Sequence, residues 1–506
     1  MTAENNEDES VATPTGQEPT PKKKGRSGDP SKTKTPLVFD LDGTLIVGDC
    51  LWEAVVHAAC TKPWILLGTA LAFLNHGRSR AKTHLAERCP VGPRNIAPNT
   101  ATIAHLTKEL EAGRTCLMAT ASPMKWAKEI NDSLGSPFDE IFATLPSGEN
   151  LKGPTKARVL EDRFGKKGFD YVGDSISDIP VWKAARQAIL AGGSKKTAVA
   201  AKKAGIEAQE IEPRRQRGRW SELLRTHQWS KNLLVLIPLV AAHKYGELDT
   251  IIAGLVTLAA FCATASGNYI LNDLWDAPRD RGHPDKCSRP LAAGEIGVPT
   301  ALGTAALLVV GGLSLGATVS PATAGALAIY MALAFGYSHW AKSVMILDAL
   351  VLASLYCIRL WTGGTATETP VSFWLMSASL FLFFSLALGK RDAELSAHQK
   401  TNGRGYKHGD RTNIAAIGAA SAVGSAFMLC LYIQSPEAQT YYAHNPLLWA
   451  LPSGCIYWAG RFWLLCGRGQ MTEDPVIWAI KDKPTWLCAG AVTLALTAAH
   501  AWANVG

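Results

Sequence analysis

Residues 36–44 read PLVFDLDGT, an apolar run that ends in two acidic residues, a glycine and a threonine. Such a run is typical of a buried strand that opens into a loop. Similar runs follow, with helical stretches between them. They are TCLMAT at 115–120, FDYVGD at 169–174 and QAILAGG at 187–193. Strands that alternate with helices predict an α/β fold with a parallel sheet.

Two carboxylates, Asp40 and Asp42, stand at the predicted open end of that sheet. Because only one residue separates them, they can share a Mg²⁺ ion while one attacks phosphorus and the other carries the proton of the leaving group. A hydroxyl, a lysine and two more acids follow along the chain, namely Thr120, Lys156, Asp174 and Asp178. This set predicts a phosphoryl-transfer site.

DLDGT, the strand-terminal threonine, the lysine and GDSISD occur in this order over about residues 36–210 and resemble the haloacid dehalogenase superfamily. The resemblance implies that Asp40 is the nucleophile and Asp42 the acid/base, which favours a phosphatase over a dehalogenase. The other implied roles are phosphate binding by Thr120 and Lys156, with Lys152 as a competing candidate, and Mg²⁺ binding by Asp40, Asp42, Asp174 and Asp178.

A mainly helical insert at about 48–109 lies where this superfamily keeps a cap that selects the substrate. It contains WILLGTALAFL at 64–74, an unusually apolar run for a soluble cap. The run either packs inside a helical cap or dips into a bilayer to admit a lipid-phosphate headgroup, and the sequence leaves both interpretations open.

The 506 residues are too many for one ordinary domain, and the composition changes near residue 219. We expect a disordered tail at 1–35, a phosphatase domain at 36–211, and a basic linker at 212–230 that is either solvated or lies along lipid headgroups. Residues 231–506 predict a membrane domain of about nine helices, since apolar runs near the roughly 20 residues that cross a bilayer recur there. These runs lie near 231–243, 250–271, 301–318, 322–338, 346–363, 371–389, 413–433, 446–464 and 486–503.

Lysine and arginine concentrate in alternate loops between the apolar runs. By the positive-inside rule, this predicts a multi-pass protein of a bacterial inner membrane whose phosphatase domain and active sites face the cytoplasm. The net charge of +8 comes without a dense basic patch that interleaves aromatic residues, so nucleic acid is not an expected partner. The eleven cysteines form no CxxC pair and indicate reduced, mostly buried thiols.

A second acidic cluster follows the second apolar run, in NYILNDLWDAPRDRGHPDKCSRPLAAGEI. Its acids recur at helical spacing and are costly beside hydrocarbon unless a cation neutralises them, which Mg²⁺ bound to a diphosphate does. Two cations that follow are suited to hold the remaining phosphate oxygens. The residues concerned are Asn272, Asp273, Asp276, Asp280, Lys286 and Arg289.

NDLWDAPRD followed by RPLAAG resembles the first motif of the UbiA superfamily of intramembrane prenyltransferases, and the resemblance extends from about Arg225 to the C-terminus. It implies catalytic and Mg²⁺-binding roles for Asp273 and Asp276, and Mg²⁺ binding by Asp280. It also implies that four residues line a central cavity, namely Tyr337, Lys342, Asp348 and Arg359.

The second acidic motif of that superfamily, usually DxxxD, is altered here to GKRDAELSAHQK, with Ser396 where an acid is expected. GKRDAEL and the segment at 467–483 resemble the branch that transfers phosphoribosyl from phosphoribosyl pyrophosphate to polyprenyl phosphate, toward decaprenylphosphoryl arabinose of the cell wall. More cations and fewer acids suit a donor with an additional 5-phosphate. Lys390 and Arg391 could bind that phosphate or serve as topogenic charge, Glu394 would contact substrate, and Asp392 would bind metal.

The two halves together predict a bifunctional enzyme in which the membrane domain makes a lipid-linked ribose 5-phosphate and the soluble domain removes its phosphate. Each site would use Mg²⁺, with one or more ions in the membrane domain. An ordinary prenyltransferase that joins a prenyl diphosphate to an aromatic or other acceptor is the alternative within enzymes. A non-catalytic scaffold or transporter is the alternative outside them, and the oligomeric state stays open.

Overall fold

The computed structural model describes residues 35–92, 96–145, 149–192, 194–211, 219–244, 246–369, 371–397, 405–443, 445–471 and 474–503. The predicted tail up to residue 34 and the linker residues 212–218 therefore lie outside the described residues. The chain divides into two compact units. The first comprises Met1–Arg217, Ala277–Ser288 and Ala292–Glu295, and the second comprises Gly218–Asp276, Arg289–Leu291 and Ile296–Gly506.

A parallel sheet of six strands forms the centre of the first unit. The strands are β1 (Leu37–Phe39), β2 (Cys116–Pro123), β3 (Ile141–Thr144), β4 (Asp170–Gly173), β5 (Ala188–Ala191) and β6 (Ala208–Ile211). Their order is β3-β2-β1-β4-β5-β6, so β1 lies between β2 and β4. Leu37 and Phe39 enter one apolar cluster and Val38 the other, because successive side chains of a strand point to opposite faces. The predicted parallel α/β sheet is confirmed.

Helices connect and cover these strands. They are α1 (Cys50–Thr61), α2 (Trp64–Arg88), α3 (Thr100–Glu111), α4 (Met124–Ser133), α5 (Pro154–Phe164), α6 (Ile179–Ala184) and α7 (Lys195–Lys203), with a 3₁₀ turn at Ile176–Asp178. Helices α1 and α2 lie in the predicted cap insert, and α2 is interrupted at Gly77, where φ is 75° and ψ is −174°. Strands β3 and β6 were not predicted, and both are four-residue strands at the edges of the sheet.

The second unit is helical. Its helices are α8 (Trp220–Leu223), α9 (Ile237–Ala241), α10 (Leu248–Arg281, whose last residues join the first unit), α11 (Val298–Val319), α12 (Pro321–His339), α13 (Leu347–Ala366), α14 (Phe373–Ala397), α15 (Arg411–Ile433), α16 (Pro436–Tyr442), α17 (Ala450–Gly467), α18 (Pro475–Lys481) and α19 (Lys483–Ala503). Four 3₁₀ segments lie between them, at Thr226–Leu236, Ala341–Ser343, His408–Asp410 and Pro446–Trp449.

Six helical segments of the described residues are long and apolar enough to cross a membrane, so the nine predicted spans are not confirmed. The six are Leu248–Arg281, Val298–Val319, Leu347–Ala366, Phe373–Ser396, His408–Ile433 and Lys483–Ala503. The run at 231–243 instead forms a 3₁₀ segment and a helix of five residues, because Pro238 begins a new helical turn there. The runs at 322–338 and 446–464 form α12 and α17, which have 19 and 18 residues and are not among the six.

In the second unit, several apolar side chains lie on the outside of the helices and several charged side chains lie inside. Leu307, Val310 and Leu494 expose their side chains, whereas Asp348 and Arg359 are buried. Charged groups within membrane segments face the bundle interior because hydrocarbon cannot solvate them. The protein is therefore a multi-pass membrane protein with a polar interior, to which the first unit adds an α/β domain.

Candidate functional site

The carboxyl ends of β1, β2 and β4 bring predicted site residues to one edge of the sheet. Asp40 follows β1, Thr120 lies in β2, and Asp174 follows β4. The chain reaches β2 on one side of β1 and β4 on the other, so the strand order reverses at β1. Open α/β sheets bind ligands in the crevice at this kind of switch point.

Three carboxylates meet at that edge. Oxygens of Asp40, Asp174 and Asp178 lie within 4.8 Å of one another, and no other such group of three possible metal ligands occurs among the described residues. Carboxylate oxygens are the ligands that Mg²⁺ prefers in proteins. The donor set therefore fits one Mg²⁺ ion.

The pKa values of Asp40 and Asp174 also indicate that the site fits a cation. Burial raises the pKa of Asp40 to about 7, against the lowering effect of Lys156, and the charge of Asp178 raises it further. Burial also raises the pKa of Asp174 to about 8, to which Asp40 and Asp178 add. Like charges in a buried site oppose one another's ionisation. A bound cation reverses that effect, which is a second reason why the site fits a metal.

Lys156 supplies positive charge from the protein itself. Its Nζ lies 2.8 Å from Asp40 Oδ2 and 3.8 Å from Asp178 Oδ1, and it donates a hydrogen bond of 2.8 Å to the Tyr171 hydroxyl. Lys156 is 2% exposed, whereas Lys152, the competing candidate, is exposed to solvent. Of the two lysines, the structure places Lys156 at the carboxylates.

Asp42 lies outside the group of three and is held by two donors. The Ser122 hydroxyl donates to Oδ2 over 2.6 Å, and the Cys50 backbone N–H donates to Oδ1 over 2.8 Å. Ser122 N–H in turn donates to the Thr120 hydroxyl over 3.0 Å. Only Leu41 separates Asp42 from the proposed nucleophile Asp40. A carboxylate oriented in this way is suited to carry a proton. Ser122 was not predicted, although it follows Thr120 by only two residues.

Gly43 allows the loop after β1 to pass close to Asp174. Its φ is +76°, and a Cβ there would lie 2.2 Å from Asp174 Oδ2. Both the left-handed backbone and the close approach require glycine. The glycine of DLDGT is therefore needed for the carboxylates to meet.

The second unit carries its own acids on α10, each with a cation beside it. Asp273 Oδ1 lies 2.5 Å from Arg225 Nη2 and 3.6 Å from Arg289 Nη1. Asp276, one turn further along, lies 3.9 Å from Lys342 Nζ. Acids can ligate the metal of a Mg²⁺-diphosphate while the cations hold its phosphate oxygens. Acids with cations beside them therefore suit a Mg²⁺-diphosphate.

Three other predicted residues of this region lie on or after α10. Asn272 precedes Asp273 and is half-buried, while Asp280 is buried and Lys286 half-buried. Asp280 and Lys286 belong to the segment Ala277–Ser288 of the first unit. Their predicted roles at the membrane site stay predictions.

Arg225 was not predicted as a site residue. Its backbone is left-handed, with φ of +50°, and its guanidinium lies 5.0 Å from the centre of the Tyr269 ring. A left-handed backbone costs about 1–2 kcal/mol at a residue other than glycine, and such strain is concentrated at functional sites. The sequence signal was weak, since Arg225 only opens the segment RTHQWSKNLLVLIPL.

A second polar cluster of this unit contains Lys231, Lys390 and Asp474. Asp474 Oδ2 lies 2.7 Å from Lys231 Nζ and 3.2 Å from Lys390 Nζ, so one carboxylate is shared by two lysines. Lys231 also lies 5.9 Å from the centre of the Tyr356 ring. Lys231 and Asp474 were not predicted, because 243 residues separate them along the chain.

Arg359 adds a third cation near Tyr356. It is 4% exposed and lies 5.0, 5.1 and 5.5 Å from the ring centres of Phe261, Tyr330 and Tyr356. Its Nε donates to Asn232 Oδ1 over 3.0 Å. Among the described residues, no carboxylate lies within ion-pair distance of this guanidinium. A charge in a membrane helix without a counter-ion costs about 3 kcal/mol or more, which favours an anionic ligand.

Arg391 has protein partners on all three guanidinium nitrogens. Nε lies 2.6 Å from Asp348 Oδ2, Nη1 lies 2.7 Å from Glu394 Oε2, and Nη2 donates to the Tyr337 hydroxyl over 3.1 Å. Tyr406 also donates its hydroxyl proton to Asp348. The predicted phosphate contact of Arg391 stays a prediction, and these contacts favour a positioning role for it.

Asp392 is held in a different ion pair. Its two oxygens accept hydrogen bonds of 2.9 and 3.2 Å from Arg411 Nε and Nη2. The side chain is buried, and it belongs to no cluster of three possible metal ligands in the described part of the chain. Its predicted metal role therefore receives no support from these contacts.

Comparisons with known proteins match both units. Family models match residues 232–481 as the UbiA prenyltransferase family and residues 37–183 as a haloacid dehalogenase-like hydrolase. The uncharacterized protein y4nM of Sinorhizobium fredii is 33% identical over 92% of this chain and 91% of its own. A decaprenyl-phosphate phosphoribosyltransferase of Corynebacterium glutamicum is 37% identical over 36% of this chain and 56% of its own. The match to a solved UbiA homologue from Archaeoglobus fulgidus, bound to GPP and Mg²⁺, covers 56% of this chain and 99% of that one, with 15% identity and a TM-score of 0.43.

Replacing Gly43 by alanine should displace Asp174 and abolish Mg²⁺-dependent phosphatase activity. A shift of about 1 Å in a catalytic group can reduce the rate about 100-fold. The matched control is Gly113→Ala, because Gly113 has a φ of +74° but no atom within 4 Å of its Cβ position. Hydrolysis of a soluble phosphomonoester is measured for both variants. Equal losses in both would mean that backbone strain, and not the approach to Asp174, explains the effect.

The affinity for Mg²⁺ at the first unit should rise with pH. Protons on Asp40 and Asp174, whose pKa values are about 7 and about 8, must leave before the ion binds, so binding weakens as the pH falls through these values. The dissociation constant should change by up to about tenfold per pH unit for each displaced proton. Isothermal titration calorimetry of Mg²⁺ binding at about pH 6, 7 and 8 measures it. A dissociation constant that is independent of pH would contradict the prediction.

Proposed function

Because the chain belongs to the UbiA prenyltransferase family and joins it to a haloacid dehalogenase-like domain, we propose that it acts successively on one lipid. The membrane domain transfers phosphoribosyl from phosphoribosyl pyrophosphate to a polyprenyl phosphate such as decaprenyl phosphate. The soluble domain then removes the 5-phosphate to give polyprenylphosphoryl ribose. The similarity to decaprenyl-phosphate phosphoribosyltransferase over 36% of the chain supports the choice of donor.

The observation that carries the proposal is a cluster of three cations near Tyr356. Lys231 and Lys390 share the carboxylate of Asp474, and the Arg359 guanidinium lies 5.5 Å from the centre of the Tyr356 ring. A prenyl diphosphate brings one diphosphate group, whereas phosphoribosyl pyrophosphate brings a diphosphate and a separate 5-phosphate. Among the described residues, these three cations lie with the one carboxylate of Asp474, which suits this additional anion, since charge-assisted hydrogen bonds to phosphate are strong.

The diphosphate end of the donor is assigned to α10. Asp273 and Asp276, with Asn272, would hold Mg²⁺, which neutralises the diphosphate as a leaving group. Arg225, Arg289 and Lys342 lie beside these acids and would bind the phosphate oxygens that the metal leaves uncovered. Tyr337 and Glu394 contact Arg391 next to Asp348, and this network would fix the position of the Arg391 guanidinium.

The phosphatase step uses residues of the first unit. Asp40 attacks the phosphorus of the 5-phosphate, the bond from phosphorus to the ribose oxygen breaks, and Asp42 donates a proton to that oxygen. Asp42 then removes a proton from water, which hydrolyses the phosphoaspartate and releases inorganic phosphate. Lys156 and Thr120 bind phosphate oxygens, and Asp40, Asp174 and Asp178 would hold Mg²⁺.

Fusion suits this order of reactions. The transfer product carries a phosphomonoester, and a phosphatase on the same chain meets it at an effective concentration of about millimolar for a flexible link. Its hydrolysis removes the product of a reversible transfer. The basic loops support a bacterial inner membrane location with both sites facing the cytoplasm.

Purified protein with radiolabelled phosphoribosyl pyrophosphate and polyprenyl phosphate should form labelled lipid in the presence of Mg²⁺. Lys390→Gln should lower kcat/KM for this donor about 10- to 100-fold, the loss expected for one charge-assisted phosphate contact. The effect should be in KM for the donor and not in KM for the lipid. Arg461→Gln is the matched control, because Arg461 pairs with Asp482 at 2.6 and 2.9 Å elsewhere in the unit.

Label transfer from a prenyl diphosphate to an aromatic acid, with none from phosphoribosyl pyrophosphate, would replace the proposal by the ordinary prenyltransferase. No transfer from either donor would leave a scaffold or transporter as the explanation.

Asp40→Asn should separate the two steps. Without the nucleophile, lipid-linked ribose 5-phosphate should accumulate from phosphoribosyl pyrophosphate while the wild type releases inorganic phosphate and accumulates the dephosphorylated lipid. Thin-layer chromatography or mass spectrometry of the lipid products distinguishes the two. An unchanged dephosphorylated product in this variant would show that Asp40 has no role in the second step.

A further inference from the structure

The cap of the first unit exposes an apolar stripe along one arm of α2. The break at Gly77 divides α2 into a first arm at 64–76 and a second arm at 78–88, which we call the cap hairpin. Four side chains at intervals of three and four residues share one face of the first arm. They are Trp64, Leu67, Leu71 and Leu74, exposed by 67, 69, 53 and 77%.

The sequence left open whether the run at 64–74 packs inside the cap or enters a bilayer. Packing inside the cap accounts for only part of the run. Ile65 is buried in the apolar core of the unit, whereas the stripe is not. Four exposed large apolar side chains on one helix face are unusual for a soluble domain and mark an interaction surface.

The charges near the stripe indicate the chemistry of what covers it. Residues 54–86 contain no aspartate or glutamate, and their basic residues include Lys62, Arg80 and Lys82. The next acid, Glu87, lies 3.5 Å from Arg88 Nη1. Helical segments with an apolar face and lysine or arginine on the polar side lie at the surface of anionic membranes. Each such cation near an anionic leaflet strengthens the attraction to it.

A cavity of about 460 Å³ opens beside the start of the stripe and is lined by Lys62, Trp64, Ile65, Gly68, His84 and Arg88. His84 lies against the first arm because residue 68 is glycine, whose Cβ position would be 2.9 Å from the His84 ring. The His84 Nδ1 atom lies 3.1 Å from the Thr69 hydroxyl, which orients the ring. Lysine, arginine and histidine next to apolar side chains are suited to an anionic group that carries hydrocarbon.

We propose that the cap hairpin lies in the interfacial layer of a bilayer, with its stripe among acyl chains and its cavity around the phosphate of an anionic lipid headgroup. A lipid surface accounts for both features, since it offers hydrocarbon and negative charge within a few ångströms of each other. The site is distinct from the carboxylates at the edge of the sheet, and no residue of that catalytic group lines the cavity. The proposal does not depend on the phosphoribosyl donor.

The position of the stripe can be measured on the full-length protein in lipid nanodiscs. A genetically encoded fluorescent amino acid at Leu71 should be quenched by lipids with brominated acyl chains. Val199 is the matched control site, because it is an apolar residue of α7 with 55% exposure and lies outside the hairpin. We expect several-fold stronger quenching at position 71 than at position 199. Equal quenching at both positions overturns the proposal, as does a blue shift at position 71 without bromine quenching, which would indicate a protein partner.

The headgroup is tested by varying the lipid charge. Quenching at position 71 should increase with the fraction of anionic phospholipid, and the double variant Lys62→Gln, Arg88→Gln should lose this dependence while its melting temperature stays unchanged. Excess inorganic phosphate should leave the quenching unaltered. If free phosphate removes the dependence, the cavity binds soluble phosphate and the lipid assignment is wrong. If the double variant retains it, these two cations do not bind the headgroup.

Discussion

Repulsion among Asp40, Asp174 and Asp178 is the constraint on which the first unit depends. Three carboxylates within 4.8 Å are unfavourable in a buried site unless cations compensate them. Lys156 supplies one positive charge from within the protein, and the donor set suits a metal for the rest. The parallel sheet makes the arrangement possible, because its strand order reverses at β1 and leaves a crevice there.

In the second unit, cations rather than carboxylates lie close together. Lys231 and Lys390 share the carboxylate of Asp474, and the buried Arg359 guanidinium has no carboxylate within ion-pair distance among the described residues, so this cluster is suited to anions. A hydrocarbon exterior increases the penalty for any imbalance. Two units of unrelated architecture are thereby suited to phosphate groups, the first through clustered carboxylates that fit a metal and the second through a local cluster of cations.

Sequence reasoning was most successful where neighbouring residues carry the signal. A stretch of about ten residues is enough to recognise the strand before Asp40, the turn at Gly43 and the acids of α10, because local periodicity indicates strands and helices. Edge strands β3 and β6 were missed because four residues give little pattern. Asp474 was missed because its partner Lys231 is distant in sequence. The nine predicted spans are not confirmed, since six helices among the described residues are long and apolar enough to cross a membrane and the run at 231–243 forms a 3₁₀ segment and a short helix.

The hydrogen bond from Cys50 N–H to Asp42 has a consequence for substrate selection. Cys50 is the first residue of α1, so the helix that begins the cap also orients the proposed proton carrier. Any tilt of α1 moves this donor and with it the direction of the Asp42 carboxylate. If Asp42 carries the proton as we propose, a molecule that moves α1 would also turn this carboxylate, which would link substrate selection to the rate of proton transfer.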